Sequence, residues 1–170
     1  MRYLIASDLH GSAYYVEKLM DVFNNGRFDK LILLGDILYH GPRNNLPLEY
    51  NPKKVIELLN SISNKIICVK GNCDSEVDQM VLDFMIHDKL KIEIDNLKIY
   101  LEHGHHLEKY EEDSYVLFGH THIKKCEVVD NVTYLNPGSV SIPKDKTHSY
   151  MIYDDGFKWF NLETKEEIFL

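Results

Sequence analysis

Seven side chains in this sequence have the types and the setting of a metal site. Each follows an apolar run and stands beside a glycine or another ligand-type residue. They are Asp8 and His10 in Asp8-Leu9-His10-Gly11, Asp36 in Gly35-Asp36 and Asn72 in Gly71-Asn72-Cys73-Asp74. His103 follows in His103-Gly104-His105, and His120 and His122 in Gly119-His120-Thr121-His122. Oxygen and nitrogen donors without thiolate suit Mn²⁺, Fe, Co²⁺, Ni²⁺ or Zn²⁺ better than a sulfur-rich structural zinc. A carboxylate shared by two cations roughly 3.5–4 Å apart lets both act on one water and one phosphoryl oxygen. The chemistry expected is phosphate-ester hydrolysis. Hydroxide generated between two metal ions attacks phosphorus in line, while the ions offset charge on the equatorial oxygens. Taken singly, each histidine is more often an ordinary core or surface residue, and Asp8 and Asn72 have the types that cap turns and helices. The capping role leaves the other five residues unexplained. His40, His87 and His148 lack the shared context and are read as ordinary histidines, with His40 alone near enough in sequence to the site to line a cleft.

To bring these seven residues together, the elements before them must end at one edge. Arg2–Ala6, Lys30–Leu34 and Lys65–Val69 read as buried strands. Between them, Val16, Leu19, Met20 and Phe23, and then Val55, Leu58, Leu59 and Ile62, repeat with the period of amphipathic helices. Asn51-Pro52 is an N-cap followed by proline at the first helical position. Strand–helix alternation of this kind implies right-handed crossovers and parallel pairing, and ligands beyond the carboxyl ends of neighbouring strands converge on one crevice. The second half reads as short strands at Leu90–Ile94, Leu97–Glu102, Tyr115–Phe118, Lys125–Val129, Val132–Leu135, Tyr150–Tyr153 and Phe157–Leu162. Asp95-Asn96, Asp130-Asn131 and Asp155-Gly156 are hairpin turns between several of them. The expectation is a single α/β domain over 1–170, with two sheets packed together and helices outside. Ile37–Tyr50 has no period, follows Asp36 directly and is a candidate substrate-binding lip.

With 19 basic and 27 acidic residues the formal charge is −8, which lacks the broad basic footprint of a protein that tracks nucleic acid. A small substrate is expected instead. The N-terminal apolar run is too short for a signal peptide and no stretch is long enough to span a membrane, so the protein is expected to be soluble and cytoplasmic. Cys68, Cys73 and Cys126 are widely spaced and read as reduced thiols.

The ordered series D-x-H, G-D, G-N-x-D, H-G-H and G-H-x-H across residues 8–122 resembles the calcineurin-like metallophosphoesterase superfamily. More narrowly, Gly35–Asn44, Gly71–Met80 and Asn136–Pro143 are similar to its YfcE-type bacterial phosphodiesterases. The resemblance implies a four-layer α-β-β-α sandwich, with two mixed β-sheets flanked by helices. It implies that Asp8, His10 and His122 hold one metal ion, that Asn72, His103 and His120 hold the other, and that Asp36 bridges both. It further implies Mn²⁺ as the usual ion and a homo-oligomer, dimer or tetramer. The Asn136–Pro143 segment is expected to pack beneath the site.

One position departs from the superfamily pattern. Much of the superfamily has a histidine after the motif asparagine, where it stabilises the transition state or protonates the leaving oxygen; here it is Cys73. A thiol is a weak hydrogen-bond donor and a poor proton source for an alkoxide, and general acid catalysis contributes roughly 10²–10⁴-fold. A preference for diesters with acidic leaving groups follows, unless another residue supplies the proton; His105 and His106 are the nearby candidates. Asp36, Asn72, Cys73 and His105 are therefore the expected catalytic residues, with Arg43 and Asn72 placed to bind substrate. The leading reading is a phosphodiesterase acting on a small phosphodiester. The alternatives are a phosphomonoesterase of the same fold and a catalytically silent interaction scaffold.

Overall fold

The computed structural model describes residues 1–170, and the first half alternates strand and helix as the periodicity requires. β1 (Tyr3–Ala6), α1 (Ala13–Asn25), β2 (Lys30–Leu33), α2 (Pro52–Asn60) and β3 (Ile66–Val69) follow in order. Ser12 caps α1, accepting from the Tyr15 N–H at 3.4 Å, and Asn51 caps α2, accepting from the Lys54 N–H at 3.2 Å. Asp8 caps neither helix, and Asn72 is followed by turns and no α-helix. The second half consists of β4 (Ile86–His87), β5 (Leu90–Ile94), β6 (Leu97–Leu101), β7 (Ser114–Leu117), β8 (Lys124–Val129), β9 (Val132–Pro137), β10 (Ser149–Tyr153), β11 (Phe157–Asn161) and β12 (Glu167–Ile168). All three expected hairpin turns have the left-handed backbone their residue types favour, with φ of 50° and 66° at Asp95-Asn96 and 48° and 62° at Asp130-Asn131.

These strands form two mixed sheets, a seven-stranded one ordered β12-β11-β10-β1-β2-β3-β4 and a five-stranded one ordered β5-β6-β7-β9-β8. β1, β2, β3 and β4 run parallel, and β10 joins β1 antiparallel. The two-residue alternation of strands sorts the core. Leu4, Ala6, Leu31 and Leu33 face both helices, whereas Tyr3, Ile5, Ile32 and Leu34 face Ile99, Leu101, Leu117 and Leu135 of the second sheet. Each fully buried leucine or isoleucine here stabilises the fold by about 1.5–3 kcal/mol relative to exposure.

Both helices lie on the seven-stranded sheet. On the outer face of the five-stranded sheet, the irregular segment after β6 covers only the middle strands, where its Tyr110 ring packs 4.9 Å from Tyr100 and 6.4 Å from Tyr134, centroid to centroid. Glu111 fastens this segment, accepting from Lys91 at 2.6 Å, Lys98 at 2.9 Å and the Tyr100 hydroxyl at 2.7 Å. No helix is long and apolar enough to cross a membrane.

Candidate metal centre

Parallel pairing delivers the ends of β1, β2 and β3 to one edge of the first sheet, and the ends of β6 and β7 meet them from the second. The backbone turns sharply there. Asp8, His10, Asp36, His120 and His122 all have positive φ, between 47° and 65°. Such strained backbone persists only where surrounding contacts dictate it, and it clusters at functional sites. The contacts are visible. Asp8 N–H donates to Gly35 O at 3.1 Å, His10 N–H to Asp36 O at 2.9 Å and Gly11 N–H to Ile37 O at 2.9 Å. The Ser139 and Ser141 hydroxyls both donate to Asp8 O, at 2.9 and 3.0 Å. Asp74 accepts the N–H groups of Asp36, Ile37 and Gly71 at 2.7–2.8 Å, which ties the turn after β2 to the turn after β3. Gly35, at φ +92°, leaves no room for a side chain, because an added Cβ would lie 2.5 Å from Gly71 N.

Three of the expected ligand histidines are oriented from behind. Nδ1–H of His10 donates to Tyr39 O at 2.8 Å, that of His103 to Leu34 O at 2.6 Å and that of His122 to Ile142 O at 2.6 Å. This tautomer turns each Nε2 lone pair towards the centre. There His122 Nε2 lies 3.2 Å from Asp8 Oδ1 and 3.2 Å from His10 Nε2. His103 Nε2 lies 3.4 Å from Asp36 Oδ2 and 3.1 Å from Asn72 Oδ1. His10 Nε2 is 3.6 Å from Asp36 Oδ2. Buried Asp8 Oδ1 has no hydrogen-bond donor. Acceptors therefore face acceptors at the centre, an arrangement that only cations relieve. Three overlapping donor groups result, Asp8–His10–His122, Asp8–Asp36–His103 and His10–Asp36–Cys73, each with its ligand atoms within 4.8 Å of one another. The donor set fits a pair of divalent ions.

Without metal, protons take the place of the cations. Burial opposes charge on His103, but its hydrogen bond to Asp36 and the charges of Asp8 and Asp36 outweigh this and push it up to about 9. His10 is raised in the same way, against burial, chiefly by Asp8. Burial would raise Asp8 and Asp36, yet both lie below the usual carboxylate range because of the facing histidines, His10 and His122 for Asp8 and His103 for Asp36.

The remaining expected residues are placed unequally. His120 donates its N–H to Asp8 Oδ2 at 3.1 Å, and its ring centroid is 5.2 Å from that of His103, with no hydrogen bond behind it. Cys73 N–H donates to Asp36 Oδ1 at 2.8 Å, and its Sγ accepts from Asn72 at 3.4 Å. Its thiol is pushed up to about 12, by burial and then by the Asp36 charge. His105 is exposed, 5.6 Å from the His103 ring centroid and 6.1 Å from that of His120; burial and His103 lower its pKa. Arg43 lines the cleft over Asp36, Asn72 and Cys73. Of the Ile37–Tyr50 segment, Tyr39 and Gly41–Asn44 line that cleft, whereas Leu48 and Tyr50 dock on Ser12. His40 packs against Tyr39 and Tyr50 and does not line the cleft, and His148 stacks on Tyr15. Sequence reasoning missed the roles of Asp74, Ser139, Ser141 and Lys144. Asp74 carried a signal as the last residue of the asparagine motif, and Ser139 and Ser141 lie in the Asn136–Pro143 segment expected beneath the site, where their hydroxyls meet Asp8 O; Lys144 carried none.

Residues 1–155 match the family model of the calcineurin-like phosphoesterase superfamily domain. The chain belongs to that superfamily. Over 150 residues it is 42% identical to phosphodiesterase YfcE of Escherichia coli strain K12, covering 85% of this chain and 82% of the relative. It is 29% identical over 151 residues to a phosphodiesterase of Methanocaldococcus jannaschii, covering 81% of this chain and 83% of that one. The solved structure of the E. coli phosphoesterase YfcE superposes with a TM-score of 0.95 at 38% identity, covering 99% of this chain and 97% of that chain. Like that structure, the chain has the superfamily's two mixed sheets with helices outside.

Proposed function

We propose that residues 1–170 form one catalytic domain that hydrolyses a small phosphodiester with the help of two divalent metal ions, Mn²⁺ foremost. The observation that carries this reading is the cluster of overlapping donor groups, joined through the buried carboxylates of Asp8 and Asp36 and open to a cleft on the Cys73 side. The similarity to two phosphodiesterases supports the reaction class. When bound, the ions acidify water and offset charge on the phosphoryl oxygens.

The chain's own residues do the rest. Asp8, His10 and His122 would hold one ion, and Asn72, His103 and His120 the other. Asp36 would serve both, its Oδ1 committed to Cys73 N–H and its Oδ2 facing His10 and His103. The backbone carbonyls behind His10, His103 and His122 keep those three rings from rotating, so they add little ordering cost to binding. Asn72, at the mouth of the cleft, is placed to orient a phosphoryl oxygen as well as a metal ion. Cys73 stays a neutral thiol at working pH and neither attacks nor donates a strong proton. His105 is neutral near pH 7 and accepts a proton more readily than it gives one, so diesters with acidic leaving groups are favoured.

Hydrolysis of a chromogenic aryl diester, beside its monoester, by metal-stripped protein with and without Mn²⁺ tests the proposal. Diester turnover that needs the ion and falls about 10³-fold in Asp36→Asn is expected. Metal-independent turnover, or none by folded protein, would overturn it.

A further inference from the structure

Beside Asn72 the crevice divides into two lobes. One, of about 700 Å³, is lined by Tyr39, Arg43, Asn44, Cys73, Ser75 and Lys144 among others. The other, of about 590 Å³, is lined by Lys70, Asp88, Lys89, Glu102, His105 and Glu108 among others. Their charges differ. Besides Asp36 and the histidines of the centre, and Asp74, whose buried oxygens are committed to backbone N–H groups, the charged side chains of the first lobe are Arg43 and Lys144, and neither forms an ion pair. In the second, Lys89 is neutralised between Glu102 at 3.0 Å and Glu108 at 2.8 Å. The carboxylates of Asp88, Glu102 and Glu108 there outnumber the amines of Lys70 and Lys89.

Both cations of the first lobe are set by backbone tied to the centre. Gly41, at φ +80°, lets the loop bearing Arg43 settle on Cys73; an added Cβ would stand 3.1 Å from Cys73 Sγ and 3.3 Å from Asn44 Nδ2. Asn44 in turn donates to His40 O at 2.8 Å and closes the loop. Lys144 N–H donates to His122 O at 3.0 Å. In a chain of net charge −8, two unpaired cations facing one cleft are a local exception that attracts anions.

We propose that the Arg43–Lys144 lobe binds a second anionic group, phosphate or carboxylate, carried by one alcohol of the phosphodiester, and that the other alcohol, neutral and polar, occupies the acidic lobe. This rests on the phosphodiesterase reading and adds the substrate class. A planar guanidinium engages either anion in two-point fashion, and the carboxylates of the opposite lobe repel a like charge and so fix the orientation.

The test uses Mn²⁺-loaded protein and three p-nitrophenyl phosphodiesters with the same leaving group. Their second alcohols are a neutral propyl chain, the same chain ending in carboxylate, and the same chain ending in phosphate. The anionic diesters are expected to exceed the neutral one about tenfold in kcat/KM, mostly through KM, and the preference falls as salt is added. The ratio approaches one in Arg43→Gln/Lys144→Gln and persists in Lys146→Gln, an exposed position outside both lobes. A carboxylate-only or phosphate-only preference identifies the anion. Equal rates in the wild type, or a ratio that survives the double substitution, would overturn the lobe assignment alone. No turnover of any of the three would overturn the phosphodiesterase reading with it.

Discussion

The two halves of the centre are built differently. Asp8, His10 and His122 are buried, and both histidine rings are anchored to backbone carbonyls. Asn72 is exposed and His120 half-buried, and of that half only His103 is anchored from behind. On the proposed two-ion reading, the inner half is pre-organised and would order little on binding an ion, whereas the outer half would have to order Asn72 and His120. Asn72 and His120 also line the cleft. On that reading, firm holding and access to substrate would fall to different residues, with Asp36 between them.

Removing the joint between the halves should have the largest effect. Asp36→Asn is expected to lower kcat on an aryl diester by about 10³-fold with the far-UV circular dichroism unchanged; a loss confined to KM would break the picture of a shared carboxylate. Next comes the asymmetry itself. Calorimetric titration of metal-stripped protein should resolve a tight and a weak step. His122→Ala should weaken the tight step at least about 100-fold, while His120→Ala should abolish the weak step and spare the tight one. Equal losses in the two variants would show that burial does not set the order.

A smaller effect is expected from the paired hydroxyls that hold the Asp8 carbonyl. Ser139→Ala with Ser141→Ala should cost about 1 kcal/mol per hydrogen bond in a denaturant titration and weaken the tight step about tenfold. A pH series sharpens the outer half. His103, raised to about 9 in metal-free protein, contributes stability that is fully present below its unfolded pKa near 6.5. That contribution is lost as pH rises through 9. The denaturation midpoint of metal-free protein should therefore fall across that window, and Mn²⁺ should remove the slope. The smallest change concerns Cys73→His, which should raise turnover of alkyl diesters relative to aryl ones. An unchanged ratio would count against a missing proton donor as the reason for the leaving-group preference.

Much of this was legible in the chain. Apolar runs of four or five residues, helix caps such as Asn51-Pro52 and turn pairs such as Asp95-Asn96 act locally, and they appear where their local physics places them. The candidate donors were legible too, because few other arrangements place aspartate, asparagine and histidine at the ends of successive strands. β4 and β12 were not, since a two-residue strand has no period to detect.

The sequence by itself determined the elements and the donor atoms, because propensity, periodicity and ligand chemistry belong to neighbouring residues. Only the tertiary structure decided which donors are held and which are loose. The Ser141 hydroxyl reaches the Asp8 carbonyl across 133 positions of sequence, and the His103 ring finds its carbonyl 69 positions away. The same holds for Lys144, whose place beside the cleft follows from a backbone bond to His122. Contacts of that range carry no local signal, since they exist only after the two sheets have packed and the strand ends have met.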